Sequence, residues 1–278
     1  MISIKKINNE VVKPIIVHGK GFEVDKRPIK GEKLFSELYA NIFICAKKKS
    51  GKSVLAGKII KDCADKNTTV LVFCSTLDKD INHKKIKIMC KNKGIPYCGY
   101  TSLMDENVDI LDELMKKLQQ EAEPEDSDTD EEPEDTKLNL FNDYDSENDE
   151  PKKRKAKYQV PEYIIFIDDL SNELKSPTII KLMKANRHYK CKLIISSQFV
   201  HDLRPESIKQ LDFMIMFKSM STEKLEKIYK DLDLSVDFNT FITMYKDSTK
   251  EKFNFFYIDV RNDEFRKNFT HKYDCLES

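Results

Sequence analysis

One stretch, ANIFICAKKKSGKSVLAGKIIKDCA at residues 40 to 64, restricts the folds open to this chain more than any other. ANIFICA (40 to 46) is a continuous apolar run of strand length. From Ser53 onward Leu55, Ile59, Ile60 and Cys63 recur at helical spacing. A buried strand that enters a helix through a short loop opens a βαβ unit, and such units build parallel sheets. The loop matches the pattern G-x-x-x-x-G-K-[ST] at Gly51, Lys52 and Ser53, while Ala46 stands where the first glycine belongs.

That spacing has a mechanical meaning. Backbone N–H groups wrap a chain of phosphates and the helix N-terminus adds partial positive charge. Lys52 would reach the β and γ phosphates of ATP, and Ser53 would ligate Mg²⁺. The expected nucleotide-binding residues are therefore Ala46, Lys47, Lys48, Lys49, Ser50, Gly51, Lys52, Ser53 and Val54. Gly51 matters most, because the backbone there must approach the phosphates closely. The first position lies at the strand exit, where a small side chain suffices, and Ala46 adds only a methyl. Lys47 also falls where Min- and Par-type ATPases carry a second lysine, but the glycines that accompany it there are missing. The lysine triplet reads better as loop charge.

The partner of this loop lies far downstream. Tyr163-Ile164-Ile165-Phe166-Ile167-Asp168-Asp169 is an apolar run ending in two carboxylates, as a strand needs if it is to deliver acids beside bound phosphates. Asp168 would hold Mg²⁺ with Ser53, and Asp169 would orient or polarise the attacking water. Alone, the run could equally be a strand ending in a helix cap; together with the loop it completes a phosphate site. Further buried strands are expected at TTVLVFCST (68 to 76), KLIISSQ (192 to 198) and FMIMFKS (213 to 219), and another at FNFFYID (253 to 259). Ser176-Pro177 marks a helix start, with the helix running to about Arg187, and helices are expected near 221 to 232 and 237 to 246. The fold expected is α/β: a P-loop NTPase with a mainly parallel sheet flanked by helices and an additional strand between the two motifs. Gln198, at the end of 192 to 198, could touch both the γ-phosphate and the water. Arg187 could serve a neighbouring subunit as an arginine finger or simply cap its helix, with Arg204, Arg261 and Arg266 as competitors.

Composition qualifies this picture. The formal net charge is zero, yet residues 121 to 150 hold 15 acidic residues and one lysine, leaving 47 basic against 33 acidic residues elsewhere. The remainder is basic, as suits a polyanionic partner. The acidic block has too few apolar residues to offset its chain entropy and reads as a disordered insertion at 121 to 158. It ends in PKKRKAK (151 to 157), which reads equally as a nuclear localisation signal and as a solvated run offsetting the acids. Seven cysteines without C-x-x-C spacing read as reduced core residues, and no apolar run is long enough for a membrane span. The domain division expected is an N-terminal extension at 1 to 35, the ATPase domain at 36 to 268 interrupted by the insertion, and a tail at 269 to 278.

Taken in order, AKKKSGKS, VLVFCST, IIFIDDL, ANRHYKCK and LIISSQ resemble the genome-packaging ATPases of the FtsK/HerA superfamily found in poxviruses, other large DNA viruses and virophages. SELYANIFICAKKKSGKS and the closing FFYIDVRNDEFRKNF are most similar to the virophage members. The resemblance covers about 36 to 100 and 160 to 268; Ala46 and the acidic insertion depart from the pattern. It implies an ATP-driven motor, assembled as a ring of five or six subunits, that pushes double-stranded DNA into a preformed capsid without reading its sequence. Capsid proteins would be partners, and the site of action would be the virion or a viral factory in the host cytoplasm. By the same resemblance Lys52 and Ser53 form Walker A, Asp168 and Asp169 Walker B, Gln198 a sensor-like residue and Arg187 a finger acting in trans. The alternatives are a helicase or DNA pump of that superfamily without a capsid, a small-molecule kinase, and a non-hydrolysing NTP-binding scaffold.

Overall fold

A computed structural model describes residues 25–105, 108–120, 157–218 and 220–274. The acidic block and all but the last residue of PKKRKAK lie outside the described residues. β1 (Asn41–Cys45) leads through the lysine-rich loop into α1 (Lys52–Cys63), followed by β2 (Thr69–Cys74), α2 (Ile81–Asn92) and β3 (Tyr97–Tyr100). A two-residue hairpin of β4 (Met104–Asp105) and β5 (Val108–Asp109) precedes α3 (Ile110–Gln120). The chain continues with β6 (Tyr163–Asp168), α4 (Pro177–Ala185), β7 (Cys191–Ser197), α5 (Pro205–Ile208) and β8 (Phe213–Phe217). It ends with α6 (Thr222–Leu232), α7 (Phe238–Ser248) and three strands, β9 (Phe255–Asp259), β10 (Glu264–Lys267) and β11 (His271–Lys272).

Nine strands form one mixed sheet in the order β11-β10-β9-β8-β1-β7-β6-β2-β3. The six from β8 to β3 run parallel, and β9, β10 and β11 extend one side as antiparallel neighbours. β7 therefore lies between β1 and β6, as the expected additional strand requires. The central strands are apolar at nearly every position because helices cover both faces of the sheet. Every residue of β1 and β7 is buried. Side chains alternate between two cores. Ile42, Ile44 and Ala46 share one with Leu55, Ile59 and Ile60 of α1 and with Ile86 and Cys90 of α2. Phe43 and Cys45 share the other with Leu182 and Met183 of α4 and Phe241 of α7.

Local signals explain most boundaries. Ser176 caps α4 by accepting from the Ile179 N–H at 3.3 Å, with Pro177 at the first helical position. That helix stops at Ala185, short of Arg187, because residues 186 to 190 turn the chain back into β7: Cys191 N–H donates to Asn186 O at 2.9 Å, and Lys190 takes φ 47°. Segments outside 36 to 268 also pack on the sheet. The Phe35 ring lies 4.9 Å from Phe213, and Phe269 lies 5.7 Å from Phe35. Among the described residues no helix is long and apolar enough to cross a membrane.

Candidate nucleotide site

The carboxyl ends of β1, β6 and β7 border a cleft of about 510 Å³. Its walls bring together Lys48, Lys49, Gly51, Lys52, Ser53 and Val54 from the loop and α1, Asp168 and Asp169 from β6 and the residue after it, and half-buried Gln198 after β7. Ala46 and Lys47 line a smaller hollow beside it, together with Gln198 and Phe199. Ser50 closes the turn, its hydroxyl donating to Lys47 O at 2.6 Å.

The backbone of the loop does not require glycine at position 46. Left-handed backbone occurs at Lys49 (φ 65°) and Gly51 (φ 104°), and position 46 is not among the positive-φ residues. Glycine's conformational freedom is thus needed at 51 and not at 46. Ala46 is buried in the apolar cluster, and its N–H donates to Ser197 O at 3.0 Å. Gly51 is the N-cap of α1, which has no side-chain cap and no acid in its first turn. Its first N–H groups therefore lie at the cleft that Gly51, Lys52 and Ser53 line, where an anion is favoured.

Asp168 is the most heavily bonded acid of the site. Strand register places it between Cys74 of β2 and Ser196 of β7. Ser196 Oγ donates to Oδ1, which also lies 3.3 Å from Lys52 Nζ. Oδ2 accepts from Ser53 Oγ at 3.2 Å and contacts His83 Nε2 at 2.9 Å. Burial works against its charge, but His83, Lys52 and Ser196 outweigh it and hold the carboxyl below its usual range. Burial likewise opposes protonation of His83, yet Asp168 and Cys74 prevail and push its pKa up to about 10. Asp169 takes φ 53°, its N–H donating to Ser196 O at 3.0 Å and its carboxylate pairing with Lys52. The bend turns the second acid into the cleft, at a cost of about 1 kcal/mol for left-handed backbone. The Ser53 hydroxyl and the Asp168 carboxylate are hard oxygen donors facing each other, a set that fits Mg²⁺.

Arg187 lies elsewhere. It follows α4 near the amino end of β7, is exposed, and stands 3.9 Å from Glu37, which also pairs with Arg261 at 2.9 Å. Arg266 pairs with Glu264 and lies over the Tyr257 ring. Arg204 is exposed in the segment after β7, at the start of α5. Sequence reasoning missed three residues, His83, Ser196 and Asp202. His83 and Ser196 meet at Asp168 only through strand register and the placement of α2. Asp202 accepts from Ser171 at 2.9 Å and from Ser197, tying the turn after β6 to the segment after β7. A sequence signal for His83 did exist: in a strongly polar stretch, His83, Ile86 and Cys90 fall on one helical stripe, and these are the buried residues of α2.

No protein-family model and no curated protein matches the chain. Solved structures do. The genome packaging NTPase B204 from Sulfolobus turreted icosahedral virus 2, in complex with AMP, is 18% identical with a TM-score of 0.52, over 86% of this chain and 100% of that one. The DNA-packaging ATPase B204 from Sulfolobus turreted icosahedral virus is 19% identical with a TM-score of 0.50, over 86% of this chain and 98% of that one. At these identities the shared property is the fold, that of a P-loop NTPase.

Proposed function

We propose that this chain is an ATPase of the FtsK/HerA superfamily that drives double-stranded DNA into a preformed viral capsid, working as a ring with ATP bound at subunit interfaces. The observation that carries the reading is the meeting of Lys52, Ser53, Asp168 and Asp169 in one cleft, with Gln198 supplied by the strand between the two motifs. The B204 enzymes, whose fold it shares, are a genome packaging NTPase and a DNA-packaging ATPase.

On this reading each residue of the cleft has its own task. The α1 N-terminus and Lys52 bind the phosphates, and Ser53 with Asp168 would hold Mg²⁺, which would supply charge compensation. Asp169, turned into the cleft by its left-handed backbone, accepts a proton from the attacking water, and Gln198 orients that water. A finger arginine comes from a neighbouring subunit, with Arg187 the first candidate and Arg204 a competitor. DNA is held by lysines through its phosphates, independent of sequence.

The test is ATP turnover with and without double-stranded DNA, followed by DNA encapsidation with empty capsids. DNA-stimulated turnover with encapsidation supports the full reading. Turnover with strand displacement and no encapsidation would favour a capsid-independent pump or helicase. Arg187→Ala should abolish turnover and spare nucleotide binding; a wild-type rate in that variant removes its assignment as finger.

A further inference from the structure

His83 is the least expected residue beside the acids. It sits in the first turn of α2, one of three buried side chains in that helix, and is 1% exposed. Its ring stacks on Phe166, centroids 5.7 Å apart and planes 23° apart, and Phe166 precedes Asp168 by two residues on the same face of β6. The stacking aims Nε2 at Asp168 Oδ2, at 2.9 Å. Asp80 fixes the start of α2 by accepting from the Asn82 N–H, and Asp80 and Asn82 both line the cleft. The cap thus fixes the helix start that carries His83, and the Phe166 ring fixes its plane.

We propose that His83 is a positioning residue for Asp168: it holds the carboxylate in the orientation that serves Ser53 and a divalent cation, and so sets the affinity of the site for that cation. Asp168 has four neighbours, and two of them have other work in turnover. On the reading above, on which this inference rests, Lys52 turns to phosphate and Ser53 to the metal. His83 and Ser196 then remain to hold the acid. They come from opposite sides, His83 to Oδ2 and Ser196 to Oδ1, so rotation of the carboxylate about its own axis breaks both bonds. Partners behind a metal-holding carboxylate typically change metal affinity 10- to 100-fold. In the cluster of Cys74, His83 and Asp168, whose ligand-type atoms lie within 4.8 Å of one another, His83 and Asp168 are joined by this direct bond.

The test compares His83→Gln, which keeps an N–H donor at similar reach, with His83→Asn, which is too short, and His83→Phe, which keeps the ring without the donor. Mn²⁺ binding to the ADP complex, followed by the electron paramagnetic resonance of free Mn²⁺, reports the metal site without turnover. A fluorescent ADP analogue in EDTA reports the phosphate loop alone. Expected are Mn²⁺ dissociation constants raised about 10-fold or more in His83→Asn and His83→Phe, recovery in His83→Gln, and unchanged metal-free nucleotide affinity. If His83→Phe does not fold, the Asn and Gln pair decides the matter. Wild-type Mn²⁺ affinity in His83→Asn overturns the inference and leaves the ATPase reading standing. Wild-type protein that binds neither nucleotide nor Mn²⁺ with ADP overturns both.

Discussion

At the scale of single residues, the loop assigns different work to its two small positions. Gly51 combines φ 104° with a neighbour: a Cβ there would lie 3.3 Å from the Phe253 ring. Gly51→Ala should therefore destabilise the fold by about 1 kcal/mol or more and weaken nucleotide binding, read by thermal unfolding and by titration with a fluorescent analogue. Ala46→Gly should cost about 1 kcal/mol of stability through lost packing and added chain freedom, with no gain in nucleotide affinity. Tighter nucleotide binding by that variant would contradict the account of the loop. His83 gives a pH signature in metal-free protein. Burial opposes its charge, but Asp168 on β6 and Cys74 on β2 raise its pKa from 6.5 to about 10. A raised pKa contributes stability that is complete below pH 6.5 and lost as pH climbs through 10. Thermal midpoints of wild type should fall over that window more steeply than those of His83→Asn.

At the scale of elements, β1 is positioned from its first residue. Asn41 is buried, and its side-chain amide donates to Met183 O in α4 at 2.9 Å and to Gln210 O after α5 at 2.8 Å. Asn41→Ala leaves both carbonyls without that donor and should lower stability by about 2 to 3 kcal/mol in urea denaturation, with the slope unchanged. The same scale shows what could be read in the sequence. The central strands were legible because burial on both faces leaves an uninterrupted apolar run, as in NIFIC, YIIFID and FMIMF. α4 was legible from its Ser-Pro start. α2 was not, because its face toward the sheet needs only His83, Ile86 and Cys90 and its other face is lysine-rich. β3 carries Gly99 and has no fully buried residue, and β10 and β11, the last two strands on the antiparallel side of the sheet, are mostly polar. In the site, Lys52, Ser53 and the acid pair follow from local sequence. The bonds of Ser196 and His83 to Asp168 depend on which strands are neighbours, and a linear pattern does not carry that information.

At the scale of the whole molecule, charge separates the chain into an acidic block and a basic remainder, 47 basic against 33 acidic residues outside 121 to 150. If that surplus grips DNA phosphates, binding to unrelated duplexes should be equally tight, and its logarithm should fall linearly with the logarithm of salt concentration. Sequence preference, or affinity insensitive to salt, would argue against a DNA motor. The central claim is that Lys52, Ser53, Asp168 and Asp169 form a hydrolytic site coupled to DNA, and steady-state ATP hydrolysis with and without double-stranded DNA tests it most directly. The account predicts Mg²⁺-dependent turnover that rises when duplex is added and is abolished in Lys52→Ala. Absence of turnover in both conditions, or a Lys52→Ala variant as fast as wild type, would contradict it.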